Sequence, residues 1–204
     1  MRFEVPLDDL FETKSFLRLL RALEGLPEGL AATGRELARR AGVSHPRATA
    51  ILSTLSDQGV VLARRAPRRD EFMLNRQHVL VERVLALFAW ERGVPEQLIE
   101  FLREGIRSRT AAVRAAILFG SAVWGEMAPN SDIDLAVLCK RGRVPEVSSA
   151  MEDLGAAVRL RFGNRLAPLI SETDVSHGSR SLWIRIASEG IYVVGSARAG
   201  SRRA

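Results

Sequence analysis

ILFGSAVWGEMAPNSDIDLAVL, residues Ile117–Leu138, is the stretch whose reading decides the fold. An apolar run ends at Gly120-Ser121, a short turn and helix follow, and a second apolar run carries Asp132 and Asp134 one residue apart. Carboxylates at i and i+2 of a strand point to the same face. Two bare charges that close repel each other and resist burial, and a divalent cation relieves both problems. Hard oxygen ligands select Mg²⁺ or Mn²⁺, ions usually shared with a nucleoside triphosphate. At the end of the first strand Gly120 lets backbone N–H groups approach a phosphate. Ser121 adds a hydroxyl, and a helix starting there adds partial positive charge. The stretch reads as a phosphate cradle (Gly120, Ser121) beside a metal platform (Asp132, Asp134).

Working outward, Val144–Phe162 has helical spacing with Val147, Met151, Leu154 and Val158 on its inner face. Leu166–Ser171 reads as a strand, Arg180–Glu189 as a helix stopped by Gly190, and IYVVG as a last strand before a basic tail. Upstream, Gln77–Glu91 and Pro95–Arg109 are helical and read as connectors.

The N-terminal part has another logic. Leu10–Leu23 is helical by spacing. Thr33 followed by Glu36 has the form of a capping box, and Gly42 ends that short helix. Ser44 is the expected N-cap of a second helix with Pro46 in its first turn. That helix turns Ala48, Ile51, Leu52 and Leu55 inward and His45, Arg47, Thr49 and Ser53 outward. VVLARR and EFMLN then read as two strands, with Arg64, Arg65, Arg68 and Arg69 around the tip. The outward helix residues suit phosphates and base edges of duplex DNA, and the tip arginines suit the backbone or a minor groove. This order of elements resembles the winged helix-turn-helix regulators of the MarR and ArsR type.

The chain has 204 residues, 47% hydrophobic content and a formal charge of +6. A packed core is expected rather than disorder. A basic balance favours polyanions, although arginine-rich composition alone produces the same bias: Lys14 and Lys140 are the only lysines. No run approaches the roughly 18 apolar residues of a membrane span, and the acidic N-terminus is not a secretory signal. With one cysteine, Cys139, neither an internal disulfide nor a cysteine zinc site can form. The expectation is a cytoplasmic protein with no membrane partner.

Strand, Gly-Ser, ten residues, Asp-x-Asp and strand together resemble the core of the polymerase-β-like nucleotidyltransferases, especially the minimal members. The resemblance implies a sheet with flanking helices, metal on Asp132 and Asp134, and triphosphate on Gly120 and Ser121. It also implies in-line attack of an acceptor hydroxyl on the α-phosphate of an NTP, with Asp132, Asp134 and Ser121 as the catalytic set. Active members carry a third carboxylate on a later strand. Here RLAPLIS offers Ala167, Pro168 and Leu169, and the nearest acids are Glu172 and Asp174. Small members also often carry arginines just after the Gly-Ser, where this chain has Ala122-Val123-Trp124.

The resulting expectation is an α+β chain in three parts: 1–76 a winged helix-turn-helix, 77–110 connector helices, and 111–204 a nucleotidyltransferase-fold mixed sheet. The first functional reading is a DNA-binding regulator whose second domain binds Mg-NTP, with catalysis lost. The alternative is an active nucleotidyltransferase that modifies a protein, RNA or small-molecule hydroxyl, including as a toxin–antitoxin component. A homodimer through the connector helices is expected in either case.

Overall fold

The computed structural model describes residues 3–5, 14–65, 69–124, 127–172 and 180–196. Two compact units divide the chain: 5–93, and 94–204 together with the first four residues.

The first unit runs α1 (Lys14–Glu24), β1 (Ala32–Thr33), α2 (Gly34–Ala41), α3 (His45–Asp57), β2 (Val61–Arg64), β3 (Glu71–Leu74) and α4 (Val79–Arg92). Half of the expected capping box forms on α2: the Glu36 N–H donates to Thr33 Oγ1 at 3.3 Å, while the Glu36 carboxylate accepts from Arg40 instead. Gly42 closes the helix at φ 62°, a left-handed conformation that costs a glycine little. At α3 the structure corrects the expectation in part. Ser44 is the N-cap residue, but its side chain makes no capping hydrogen bond. Leu37, Leu52 and Leu55, with Leu19 and Leu23 of α1, fill the core of this unit. Each such leucine contributes on the order of 1.5–3 kcal/mol by leaving water. β1, β3 and β2 form a small antiparallel sheet in that order.

The helix over Val79–Arg92, expected to be a connector, is built into this unit. Its Val81 and Phe88 are core residues, and its buried Glu91 holds the Arg21 guanidinium in a fork at 2.8–3.0 Å. Arg21 also lies over the Phe88 ring. His78 caps this helix through Nδ1, which accepts from the Leu80 N–H at 3.2 Å.

The second unit runs α5 (Val94–Arg109), β4 (Val113–Phe119), α6 (Ser121–Trp124), β5 (Ile133–Cys139), α7 (Val144–Phe162), β6 (Leu166–Ser171), α8 (Arg180–Glu189) and β7 (Ile191–Val194). The other expected connector, α5, belongs here: Leu98, Leu102 and Ile106 share a core with Val147, Met151, Leu154 and Val158 of α7. The sheet order is β6-β5-β4-β7. β5 runs parallel to β6, while β4 is antiparallel to both β5 and β7.

Alternation along β5 assigns its two faces. Ile133, Leu135, Val137 and Cys139 join the core under α5 and α7. Ala136 points the other way, into a smaller cluster with Ile117 of β4 and Trp183 and Ile186 of α8. Asp132 and Asp134 belong to this second face, at the end of the sheet where β5 begins. The chain is thus a mixed α+β protein. Among the described residues no helix is long and apolar enough to cross a membrane.

Candidate active site

The turn after β4 is closed by Gly120 at φ +74°. A Cβ placed on Gly120 would lie 2.1 Å from Asp134 Oδ2 and 3.0 Å from its Cγ. Glycine is required there twice over, by the backbone conformation and by the carboxylate against it. The Gly120 carbonyl accepts from the N–H groups of Val123 and Trp124 at 3.0 and 3.1 Å, which fixes the single turn of α6 with Ser121 at its start. The structure therefore brings Gly120, Ser121 and Asp134 together at one end of the sheet.

Asp132 sits just ahead of β5 on the same face and carries a partner that the sequence did not reveal. Arg165 Nε donates to Asp132 Oδ1 at 3.1 Å, and its Nη2 engages Oδ2, so the guanidinium spans both carboxylate oxygens. The Arg165 carbonyl in turn accepts from the Ile133 N–H at 2.8 Å. Pairing of Ile133 with Leu166 starts the β5–β6 register, and Arg165 lies one position before it. A sequence pattern does not define which residues of two parallel strands meet. The only cue was a basic residue immediately before the strand.

The two carboxylates are perturbed in opposite directions. Hydrogen bonding from Arg165 lowers the Asp132 pKa from the ordinary 3.8, against an opposing pull of burial. Burial raises that of Asp134, and the nearby Asp132 charge adds to the rise. Desolvation beside a like charge disfavours an ion unless a cation compensates. The donor chemistry fits a divalent cation: two hard carboxylates on one face, with water and phosphate oxygens needed to complete the shell. Among the described residues no group of three or more His, Cys, Asp or Glu could hold a metal ion.

The β5–β6 register also shows which residue of the neighbouring strand faces the same way as Asp134. Asp134 pairs with Ala167, so their side chains share a face, and alanine supplies no carboxylate. Glu172 does not fill the gap. It accepts from the Gly142 N–H at 2.9 Å, beyond the far end of β5. Counting along β6 from Ala167 at about 3.3 Å per residue puts it on the order of 16 Å from the site. Asp174 lies outside the described residues.

On the other side of the turn, the Arg185 guanidinium of α8 lies 4.1 Å from the centre of the Trp124 ring and donates from Nε to Glu189 at 2.9 Å. A cation therefore stands beside the segment after Gly-Ser, although Ala122-Val123-Trp124 itself has none. The sequence held no signal for it, because α8 is remote in the chain.

In the first unit, His45, Arg47, Thr49 and Ser53 are all exposed along α3, as are Arg64, Arg65 and Arg69. His45, Thr49 and Arg69 line one cleft of about 440 Å³ together with Arg35. Arg47, Ser53, Arg64 and Arg65 do not line it, and Arg68 lies outside the described residues. Arg35, from the first turn of α2, was not expected there.

The family model for "Polymerase beta, Nucleotidyltransferase" matches residues 96–180. No curated protein matches the chain. Two solved structures are similar to parts of it. One is a toxin–antitoxin with AMP-PNP, at 18% identity over 50% of this chain and 77% of that one, with a TM-score of 0.38. The other is NadR in complex with 4-hydroxyphenylacetate, at 20% identity over 48% of this chain and 67% of that one, with a TM-score of 0.35. Residues 96–180, from α5 through the Gly-Ser turn and the paired aspartates to the start of α8, thus carry a polymerase-β-type nucleotidyltransferase domain.

Proposed function

We propose that the second unit binds a nucleoside triphosphate with Mg²⁺ or Mn²⁺ at Gly120, Ser121, Asp132 and Asp134, and passes its nucleotidyl group to an acceptor hydroxyl. The observation that carries this is the close approach of the Asp134 carboxylate to Gly120. It sets the Gly-Ser turn and an acidic side chain next to each other at one end of the sheet. Gly120 leaves the backbone N–H groups open to phosphate oxygens, and the Ser121 hydroxyl donates to the same group. Asp132 and Asp134 would hold the cation, whose role when bound is to neutralise phosphate charge and align the α-phosphate for in-line attack. Ala167 supplies no base for the acceptor proton. A positioned base is worth about 10²–10⁴-fold, so turnover is slow relative to a site that has one.

Calorimetry with ATP, CTP, GTP and UTP tests the binding step, and pyrophosphate release tests the transfer. The expected result is Mg²⁺-dependent binding of at least one nucleotide, lost in Asp132→Asn and Asp134→Asn. Absence of metal-dependent binding for all four would remove the reading. The acceptor class stays as broad as protein, RNA or small molecule.

A second reading concerns the first unit, proposed as a winged helix-turn-helix that contacts duplex DNA. It is favoured by the cleft that gathers Arg35, His45, Thr49 and Arg69 between α3 and the β-hairpin. Arginines at such a position neutralise phosphates and release counterions, so binding falls steeply with salt. An Arg64/Arg65/Arg68/Arg69→Ala variant should bind duplex DNA more weakly and with a shallower salt slope. Unchanged binding would refute the assignment. The proposed homodimer rests on Val79, Leu80 and Trp90, large apolar side chains exposed on α4.

A further inference from the structure

A metal seat made of Asp132 and Asp134 has an occupant already in this structure. Arg165 covers both oxygens of Asp132 with a planar fork, the geometry in which arginine binds carboxylates most firmly. Its backbone is pinned by the Ile133 N–H bond, whereas its side chain is 67% exposed and packed into no core. The same fork fits phosphate as well as carboxylate. β6, which follows Arg165, is separated from β4 only by β5, so the Gly120 turn and Arg165 lie about 10 Å apart across the sheet. A triphosphate and an arginine side chain together span that distance.

We propose that Arg165 is a nucleotide-operated latch on the metal seat. In the free protein its guanidinium closes Asp132. A triphosphate arriving at Gly120 and Ser121 draws the guanidinium onto its own phosphate oxygens and frees Asp132 for the cation. Nucleotide and metal then bind cooperatively, and a cation alone binds poorly. The proposal rests on the nucleotide reading above and adds an order of events and a residue that the Gly-Ser and Asp-x-Asp motifs do not contain. It also assigns a task to the pairing of Asp132, which otherwise opposes the use of that carboxylate as a ligand.

The test is titration of Mn²⁺, followed by electron paramagnetic resonance of the free ion, with and without ATP, CTP, GTP or UTP. Wild type, Arg165→Gln and Arg165→Lys are compared. Lysine keeps the charge but cannot span two oxygens. Without nucleotide, both variants should bind Mn²⁺ about fivefold more tightly than wild type, the upper range for an exposed ion pair. The gain in Mn²⁺ affinity caused by nucleotide should fall by the same factor in the variants. Equal Mn²⁺ affinity in all three proteins, with nucleotide binding intact, overturns the latch and leaves the nucleotide site standing. Tighter binding in Arg165→Gln but not in Arg165→Lys also overturns it, because relief of charge repulsion then accounts for the result. If no protein binds nucleotide or Mn²⁺ in any combination, the nucleotide reading itself fails.

Discussion

At the scale of single residues, the site is governed by Asp134 and what surrounds it. The φ of +74° at Gly120 already costs an L side chain about 1–2 kcal/mol, and a methyl there would also strike the Asp134 carboxylate. Gly120→Ala is expected to destabilise the second unit by more than that and to displace Asp134, so that Mn²⁺ and nucleotide binding are lost together. Thermal unfolding and Mn²⁺ titration check the two halves. The pH dependence follows from the opposed carboxylates. Asp134 has a folded pKa above the ordinary 3.8, so its favourable contribution is present below that value and is lost as pH rises through the folded pKa. Asp132 has the reverse sign: its contribution is present above the ordinary value and is lost as pH falls through the lowered one. Asp134→Asn removes the first effect. It should therefore raise stability at neutral pH relative to wild type, flatten the loss of stability from about pH 4 upward, and abolish metal binding. Such a gain in stability at the expense of a site is common where a site holds strained charges. Denaturant melts from pH 3 to pH 7 measure it, and lower neutral-pH stability in the variant would contradict the assignment.

At the scale of elements, the informative fact is the parallel register of β5 on β6. Asp134 pairs with Ala167, so their side chains share a face. Ala167→Asp should put a third carboxylate on the shared face. The expected outcome is tighter Mn²⁺ binding and pyrophosphate release faster by up to about 10²-fold, the lower range for a positioned base. Lower stability without metal should accompany both, since like charges are then crowded. No change in either metal affinity or rate would mean that position 167 does not face the seat. The same register explains what was and was not legible in the sequence. Gly120, Ser121, Asp132 and Asp134 are close in the chain, so the group that meets at one end of the sheet could be read from spacing alone. The strand Leu166–Ser171 was legible by its apolar run, but its partner and register depend on non-local pairing, which hid Arg165. Arg185 was hidden for the same reason. Caps showed a different limit: Thr33 caps as its type suggests, Ser44 does not use its hydroxyl, and His78 caps with a ring nitrogen. Local propensity names candidate caps, while the final side-chain geometry decides which of them bond.

At the scale of the whole molecule, two units each own a core, one around Leu37 and Leu52 and the other around Leu102 and Leu135. The helices expected to connect them are divided between those cores, so the boundary falls at Gly93–Val94 rather than across a separate linker. Chains with two cores often unfold in more than one step. Ligand that binds only the folded form of one unit stabilises that unit, by about 2.7 kcal/mol at a hundred times its Kd. The tryptophans allow each unit to be watched alone, because Trp90 lies on α4 while Trp124 and Trp183 lie on α6 and α8. Trp90→Phe leaves fluorescence from the second unit only, and Trp124→Phe/Trp183→Phe leaves it from the first. With Mn²⁺ and a bound nucleotide, the midpoint reported by the first variant should rise. The second variant keeps the bulk of the proposed site, though Trp124 adjoins it, and its Trp90 midpoint should stay where it was. Equal shifts at both reporters would overturn the expectation that the nucleotide stabilises the second unit alone.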